Sequence, residues 1–196
     1  MASLKSLCVY CSASVRIDER YRDLARDMGH LIAKEGVRLV YGGAHIGMMG
    51  AVSDGVLESG GTVLGVTTKH LGKHEGIHEG LKELKVTDDM HARKYMMFEE
   101  ADAFAILPGG FGTLDEFFEM LTWKQIGLHA KPIIIVNHEG FWDPLKALIQ
   151  GLGSHEFISE KDAKLCHFVD TVDEVIPAIR DLPVMKIDPT EKWRKK

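Results

Sequence analysis

Two short apolar runs, Ala103 to Leu107 and Pro132 to Asn137, constrain the fold most. They are too short for helices and carry no polar alternation, the pattern of strands buried on both faces in the middle of a parallel sheet. Around them strand-like and helix-like segments alternate. Leu4 to Cys11 reads as a strand, and Asp18 to Glu35 as a helix whose Leu24, Ala25, Met28, Leu31 and Ile32 recur at three- and four-residue steps. Gly36 caps that helix. Val37 to Tyr41 and Thr62 to Thr67 read as strands on either side of a helix from Gly47 to Glu58. A weak strand is expected at Leu84 to Val86, then helices over Asp89 to Glu100, Leu114 to Ile126, Pro144 to Leu152 and Val172 to Arg180, with a last strand at Leu165 to Val169. The alternation predicts an α/β fold: a single-domain, Rossmann-like, doubly wound parallel sheet flanked by helices. The domain is expected over residues 1–182 and a loosely held basic tail over 183–196.

With 45% hydrophobic and 27% charged residues, the chain has the composition of an ordinary globular domain. A formal net charge of −5 argues against nucleic acid as partner. No apolar run approaches the roughly 18 residues of a membrane span, and no signal peptide is read at Met1, so a cytoplasmic location is expected. Three cysteines, Cys8, Cys11 and Cys166, fit a reducing compartment without disulfides. Cys8-Val9-Tyr10-Cys11 has redox-motif spacing, but lies in a strand, away from any helix N-terminus that would lower a thiol pKa. His70, His74 and His78 would share a helical face and suggest a metal. Gly72, Gly76 and Gly80 among them predict a loop instead, and no metal site is expected.

Ligands of open α/β sheets bind at loops that follow strands and open helices. Two such loops are rich in glycine. Gly42-Gly43-Ala44-His45-Ile46-Gly47 matches neither the dinucleotide pattern nor the Walker pattern, because Met48 and Met49 stand where Lys and Ser or Thr are required. Its glycines serve either an anion or only tight turns and close helix packing. In Pro108-Gly109-Gly110-Phe111-Gly112-Thr113-Leu114-Asp115-Glu116 three glycines in four residues expose successive N–H groups at a helix start, where a phosphate is favoured. A carboxylate one turn on, Glu116, would repel that phosphate unless aimed elsewhere, such as a sugar carbon that becomes cationic as a glycosidic bond breaks. Thr113-x-x-Glu116 is also capping-box spacing, and spacing alone does not separate the two readings.

Met90-His91-x-Arg93-Lys94, the glycine motif ending at Glu116, Thr122-Trp123 and His129-x-Lys131-Pro132 together resemble the LONELY GUY family of cytokinin-activating phosphoribohydrolases, often labelled lysine decarboxylases. The resemblance runs from Val9 to about Val169. It implies hydrolysis, without a cofactor, of the N-glycosidic bond of an adenosine 5′-monophosphate with an N6 substituent, giving free base and ribose 5-phosphate. It makes Arg93 and Glu116 the catalytic pair. It assigns the nucleotide to Gly109, Gly110, Phe111, Gly112, Thr113, Leu114 and Asp115, with Lys94, Thr122 and Glu75, and with Ser12 and Gly43 from the earlier loops. The chain departs from the family at Ala44, where a third glycine is common, and at Cys11-Ser12-Ala13-Ser14. The resemblance also implies a homodimer, for which Tyr95 to Phe98 and Trp123 offer apolar surface. Two rival functions keep the same cradle: a general AMP nucleosidase, and a nucleotide-sensing or carrier protein that does not turn its ligand over. Pyridoxal-dependent decarboxylation would require a Schiff-base lysine and a partner for the pyridine nitrogen, and no segment proposes both.

Overall fold

The computed structural model describes residues 4–183. In chain order the described elements are β1 (Ser6–Tyr10), α1 (Glu19–Lys34), β2 (Arg38–Tyr41), α2 (Gly47–Glu58), β3 (Val63–Thr68), α3 (Lys69–His74) and β4 (Glu83–Thr87), then α4 (Met90–Glu99), β5 (Ala103–Ile106), α5 (Phe111–Gln125), β6 (Ile133–Val136), α6 (Asp143–Ser154), β7 (His167–Val169) and α7 (Val175–Asp181). The strands form one sheet in the order β4-β3-β2-β1-β5-β6-β7. Every pairing is parallel, with Leu7 opposite Leu39 on one side of β1 and opposite Ala103 on the other. The expected doubly wound α/β sheet is present. The tail expected from residue 183 lies outside the described residues apart from Pro183.

Alternation along the strands builds a core on each face. Leu7 and Val9 pack with Leu24, Met28 and Ile32 of α1, Val52 and Val56 of α2, and Ile176 of α7. Cys8 and Tyr10, one residue out of phase, pack with Met97 of α4, Phe117 and Met120 of α5, and Ile149 of α6. Strand order reverses between β1 and β5, and at such a switch point the loops leaving the two strands diverge to opposite faces and leave a crevice.

Local signals explain the boundaries. α1 ends in a Schellman turn: Gly36 has φ +66°, its N–H donates to the Ala33 carbonyl, and the Val37 N–H donates to that of Ile32. Two expectations need correction. The glycine- and histidine-rich segment expected as a loop opens with helix α3, because the Thr68 hydroxyl accepts from the Leu71 N–H and of the three glycines only Gly72 falls inside the helix. The helix expected from Leu114 begins at Phe111, with Gly110 as its cap residue. Among the described residues no helix is long and apolar enough to cross a membrane.

Candidate active site

A cleft of about 260 Å³ opens at the switch point. Its walls come from the end of β1 (Tyr10 to Ala13), Gly42, the end of α3 (Leu71, Glu75), α4 (Arg93, Met97) and the first turns of α5 (Gly110, Thr113, Glu116). Arg93 and Glu116, twenty-three residues apart in sequence, meet here. Arg93 Nη1 donates to Glu116 Oε1 at 2.8 Å, with side chains only 4% and 11% exposed. Arg93 Nε donates to the Val66 carbonyl at 2.9 Å, which fixes the guanidinium plane against β3. A Cβ on Gly42 would come within 2.5 Å of Arg93 Nη2, so a glycine there is what makes room for the guanidinium. Burial raises the Glu116 pKa above its ordinary value, outweighing the help that Arg93 gives the charged form.

That pairing decides the capping question. Glu116 is spent on Arg93, Gly110 makes no side-chain cap, and Thr113 is the third residue of α5 rather than its cap. The first helical bond runs from the Leu114 N–H to the Gly110 carbonyl, so the N–H groups of Phe111, Gly112 and Thr113 have no acceptor within the helix and open beside the cleft. Thr113 packs over Gly109, where a Cβ would stand 2.1 Å from its hydroxyl. The other glycine loop serves structure at its helix end. The Met48 and Met49 N–H groups both donate to the Ser12 carbonyl, and a Cβ on Gly50 would stand 2.1 Å from the His45 carbonyl.

The charges in the cleft are largely paired. Lys94 Nζ lies 3.0 Å from Asp115 Oδ2 and 3.2 Å from Glu119 Oε1. Burial pulls its pKa down, but these carboxylates outweigh burial and the net shift is upward. With Asp115 held by Lys94 and Glu116 by Arg93, Glu75 is the one carboxylate lining the cleft that has no ion-pair partner among the described residues.

Of the residues singled out from the sequence, Arg93, Glu116, Glu75, Ser12, Gly110, Gly112, Thr113 and Asp115 line this cleft. Lys94 stands behind Asp115, Leu114 packs into the core, and Phe111 projects into solvent at 94% exposure. Gly109 lines an adjoining apolar hollow with Tyr21, Met48 and Phe141, which shares Ser12 and Gly110 with the main cleft. Gly43 is turned away, toward Thr67 and Leu84, and its neighbour Gly42 faces the cleft instead. Thr122 is not brought to the cleft either. Six residues past Glu116 it points about 240° round the helix, into a separate hollow with Leu121 and Ile149. The apolar wall of Met49, Leu71, Met90 and Met97 is absent from the residues assigned to the ligand by sequence, which places Met97 in packing or an interface, although it follows Arg93 by four residues and so shares its helix face. Of the two departures noted in the sequence, Ala44 is buried in the core, whereas Cys11, Ser12 and Ala13 line the cleft.

Neither alternative chemistry gains support. Burial pushes the Cys8 and Cys11 thiols well above their ordinary value, opposite to what a redox pair requires. The His70 and His74 rings lie 4.7 Å apart, tilted by 57°, while His78 turns to Asp54, and no group of three or more potential metal ligands converges among the described residues.

A family model described as possible lysine decarboxylase matches residues 49–179. Over 177 residues, 90% of this chain and 89% of the relative, the sequence is 42% identical to the cytokinin riboside 5′-monophosphate phosphoribohydrolase of Rhodococcoides fascians. Over 172 residues, 88% of this chain and 71% of the relative, it is 39% identical to the cytokinin riboside 5′-monophosphate phosphoribohydrolase LOG of Oryza sativa subsp. japonica. Among solved structures, the molybdenum cofactor carrier protein of Chlamydomonas reinhardtii superposes with a TM-score of 0.71 at 23% identity, covering 91% of this chain and 97% of that one, a likeness of fold.

Proposed function

The chain belongs to the family of the cytokinin riboside 5′-monophosphate phosphoribohydrolases, and from that premise we propose that it hydrolyses the N-glycosidic bond of an N6-substituted adenosine 5′-monophosphate, releasing the free base and ribose 5-phosphate. The observation that carries the reading is the buried Arg93–Glu116 pair beside the open N-terminus of α5. The N–H groups of Phe111, Gly112 and Thr113 and the hydroxyl of Ser12 take the phosphate, which the helix dipole favours and the neutralised Asp115 does not oppose. Glu75, without an ion-pair partner among the described residues, takes the ribose hydroxyls across the cleft. Glu116 lies one turn beyond the phosphate donors, where it faces the anomeric carbon.

As the bond from that carbon to the base nitrogen breaks, its electron pair leaves with the base and positive charge grows on the ribose. The Glu116 carboxylate stabilises that charge and takes a proton from the attacking water. The water's hydroxyl ends on the sugar and its proton on the departing base. Arg93 orients Glu116 and favours its ionised form against the burial that opposes its charge. Lys94 orients Asp115 at the rim.

The lysine decarboxylase description does not fit the residues present. Among the described residues no lysine lines the cleft, and Lys94 is engaged by Asp115 and Glu119. A carrier would keep the glycine cradle but has no use for a buried carboxylate paired with an arginine beside it. We further propose a single domain over residues 1–182 and a homodimer. The second copy would cover Tyr95, 54% exposed, whose ring forms a cluster with Phe98 and Trp123. A cytoplasmic location fits three buried free thiols.

The test is chromatography of adenosine 5′-monophosphate and its N6-isopentenyl derivative after incubation with the protein. Release of free base, faster from the N6-substituted nucleotide, is the expected result. Equal rates would leave a general AMP nucleosidase. Binding without cleavage of either nucleotide would refute the enzyme and favour the carrier.

A further inference from the structure

The wall of the cleft that carries Leu71 and Glu75 is weakly built. None of residues 69–86 is buried, and α3, only six residues long, contributes nothing to either core. Its first turn is closed by Thr68, which sits on β3, and its return to β4 is secured by Leu81, half-buried against the core. Between those two points, among the described residues, one side chain ties the segment to another element by a hydrogen bond or ion pair: His78, whose Nε2 lies 2.9 Å from Asp54 Oδ1 on α2. The same residue is held through its backbone, where its N–H donates to the Gly43 carbonyl at 3.2 Å.

The ring's protonation follows from its partners. The Gly80 N–H, a donor only, points at Nδ1 at 3.1 Å, so Nδ1 accepts and the proton resides on Nε2, which donates to Asp54. One imidazole thereby closes the turn after α3 on itself and fastens it to a helix packed on the sheet. Close packing locks the same junction, since Gly76, at φ +70°, leaves no space between itself and the His45 ring.

We propose that His78 is a positioning residue for the hydrolysis, latching the Leu71–Glu75 wall to Asp54 so that Glu75 is held at the ribose side of the cleft before substrate arrives. The inference rests on the reading that this cleft binds the nucleotide. A wall without buried side chains loses its preferred position when its tether is cut, and the substrate must then supply the ordering free energy. The loss falls on binding, because Arg93 and Glu116 stand on α4 and α5 and do not depend on the latch.

The experiment compares His78→Ala, Asp54→Ala, Asp54→Asn, Glu75→Gln and the double variant His78→Ala/Glu75→Gln by steady-state kinetics on adenosine 5′-monophosphate, with amide hydrogen exchange on the same proteins. His78→Ala and Asp54→Ala should each raise KM about tenfold, the scale of one or two lost hydrogen bonds, and leave kcat within about twofold. Asp54→Asn, whose amide oxygen still accepts from Nε2, should restore KM. In the double variant KM should exceed that of Glu75→Gln by no more than about twofold, since the latch acts through Glu75. Exchange over residues 71–75 should quicken in His78→Ala while exchange in β1 and β5 stays as in the unmodified protein.

Unchanged KM together with unchanged exchange over 71–75 would overturn the proposal. So would a joint fall of kcat and melting temperature in both alanine variants, which would make the bond merely structural. If the unmodified protein cleaves no nucleotide, the hydrolase reading fails, and exchange over 71–75 in His78→Ala alone decides whether the latch stands.

Discussion

Replacing Glu116 by Gln removes one charge and almost no shape. The amide oxygen can still accept the 2.8 Å hydrogen bond from Arg93 Nη1, so the pair stays connected. Two effects on stability then oppose each other. Arg93 loses a charged acceptor and keeps a neutral one, a loss of about 1 kcal/mol. Against this, burial outweighs Arg93 in setting the Glu116 pKa, so deleting the charge relieves a desolvation cost at neutral pH. The net change is expected within about 1 kcal/mol, which for a chain of this length moves the melting temperature by only about 2–4 °C. Arg93→Ala differs, because it strands the carboxylate without its partner in a site where both side chains are nearly enclosed. Breaking a buried pair in that way costs about 3–5 kcal/mol. Activity divides the two variants differently. A carboxylate acting on the water and the ribosyl cation contributes about 10²–10⁴ in kcat, or about 2.7–5.5 kcal/mol. Glu116→Gln should thus melt like the unmodified protein and release base at least about a hundredfold more slowly. Thermal unfolding and base release on one preparation of each variant supply both numbers. A Glu116→Gln protein retaining activity within a few-fold of the unmodified protein would refute the catalytic assignment. One that melts as low as Arg93→Ala would refute the argument that burial already works against this charge.

The same carboxylate links pH to rate and stability in opposite senses. Its folded pKa is raised above the ordinary 4.5, so its contribution to stability is full below that value and is lost as pH rises through the folded pKa. In the proposed mechanism the ionised form acts on the water, so kcat should fall as pH drops through the same raised pKa. The acid limb of kcat should lie above the ordinary carboxylate range, and Glu116→Gln should abolish both that limb and this group's part of the dependence of melting temperature on pH. In the glycine turn, Gly109→Ala would push a methyl into Thr113, whereas Gly110→Ala meets no atom within 4 Å. The first should lower the melting temperature and raise KM for the nucleotide. The second should leave the melting temperature unchanged and raise KM alone, because Gly110 lines the cleft, and equal melting temperatures for the two would contradict that geometry.

Patterning made most of the fold legible. Continuous apolar runs such as Ile133–Val136 are buried on both faces inside a helix-covered sheet, and the weak run around Leu84 is the edge strand β4. Local capping was harder to read. Gly72, Gly76 and Gly80 predict a loop, yet the Thr68 hydroxyl, accepting from the Leu71 N–H, starts α3, and two of the glycines fall beyond its end. Facing on a helix was also lost where a resemblance supplied the residue: Thr122 is on the same helix as Glu116 but turned to a different hollow. Arg93 and Glu116 could be paired from sequence only through family likeness, since nothing in their spacing announces that α4 and α5 bring them to one point.

The two glycine turns look alike in sequence and differ in what the fold sets opposite them. Both follow a strand at its carboxyl end and both start a helix, so each offers glycines, free N–H groups and a favourable dipole. They differ in what lies opposite. At α2 the Ser12 carbonyl already accepts from Met48 and Met49, and the space beside Gly47 and Gly50 is filled by the Ala13 and His45 backbones, so an anion there would have to displace bonds the fold has made. At α5 no acceptor among the described residues takes the first three N–H groups, and Asp115, two residues on from Thr113, is paired with Lys94. The segment Cys11 to Ser14 thus has two duties. The Ser12 carbonyl caps the start of α2, and Cys11, Ser12 and Ala13 wall the cleft proposed to take the nucleotide. A substitution in this segment should then act on the ligand through α2 as well as directly, and Ser12→Pro, which also removes the N–H donated to the Pro108 carbonyl, would uncouple β1 from the glycine turn at α5.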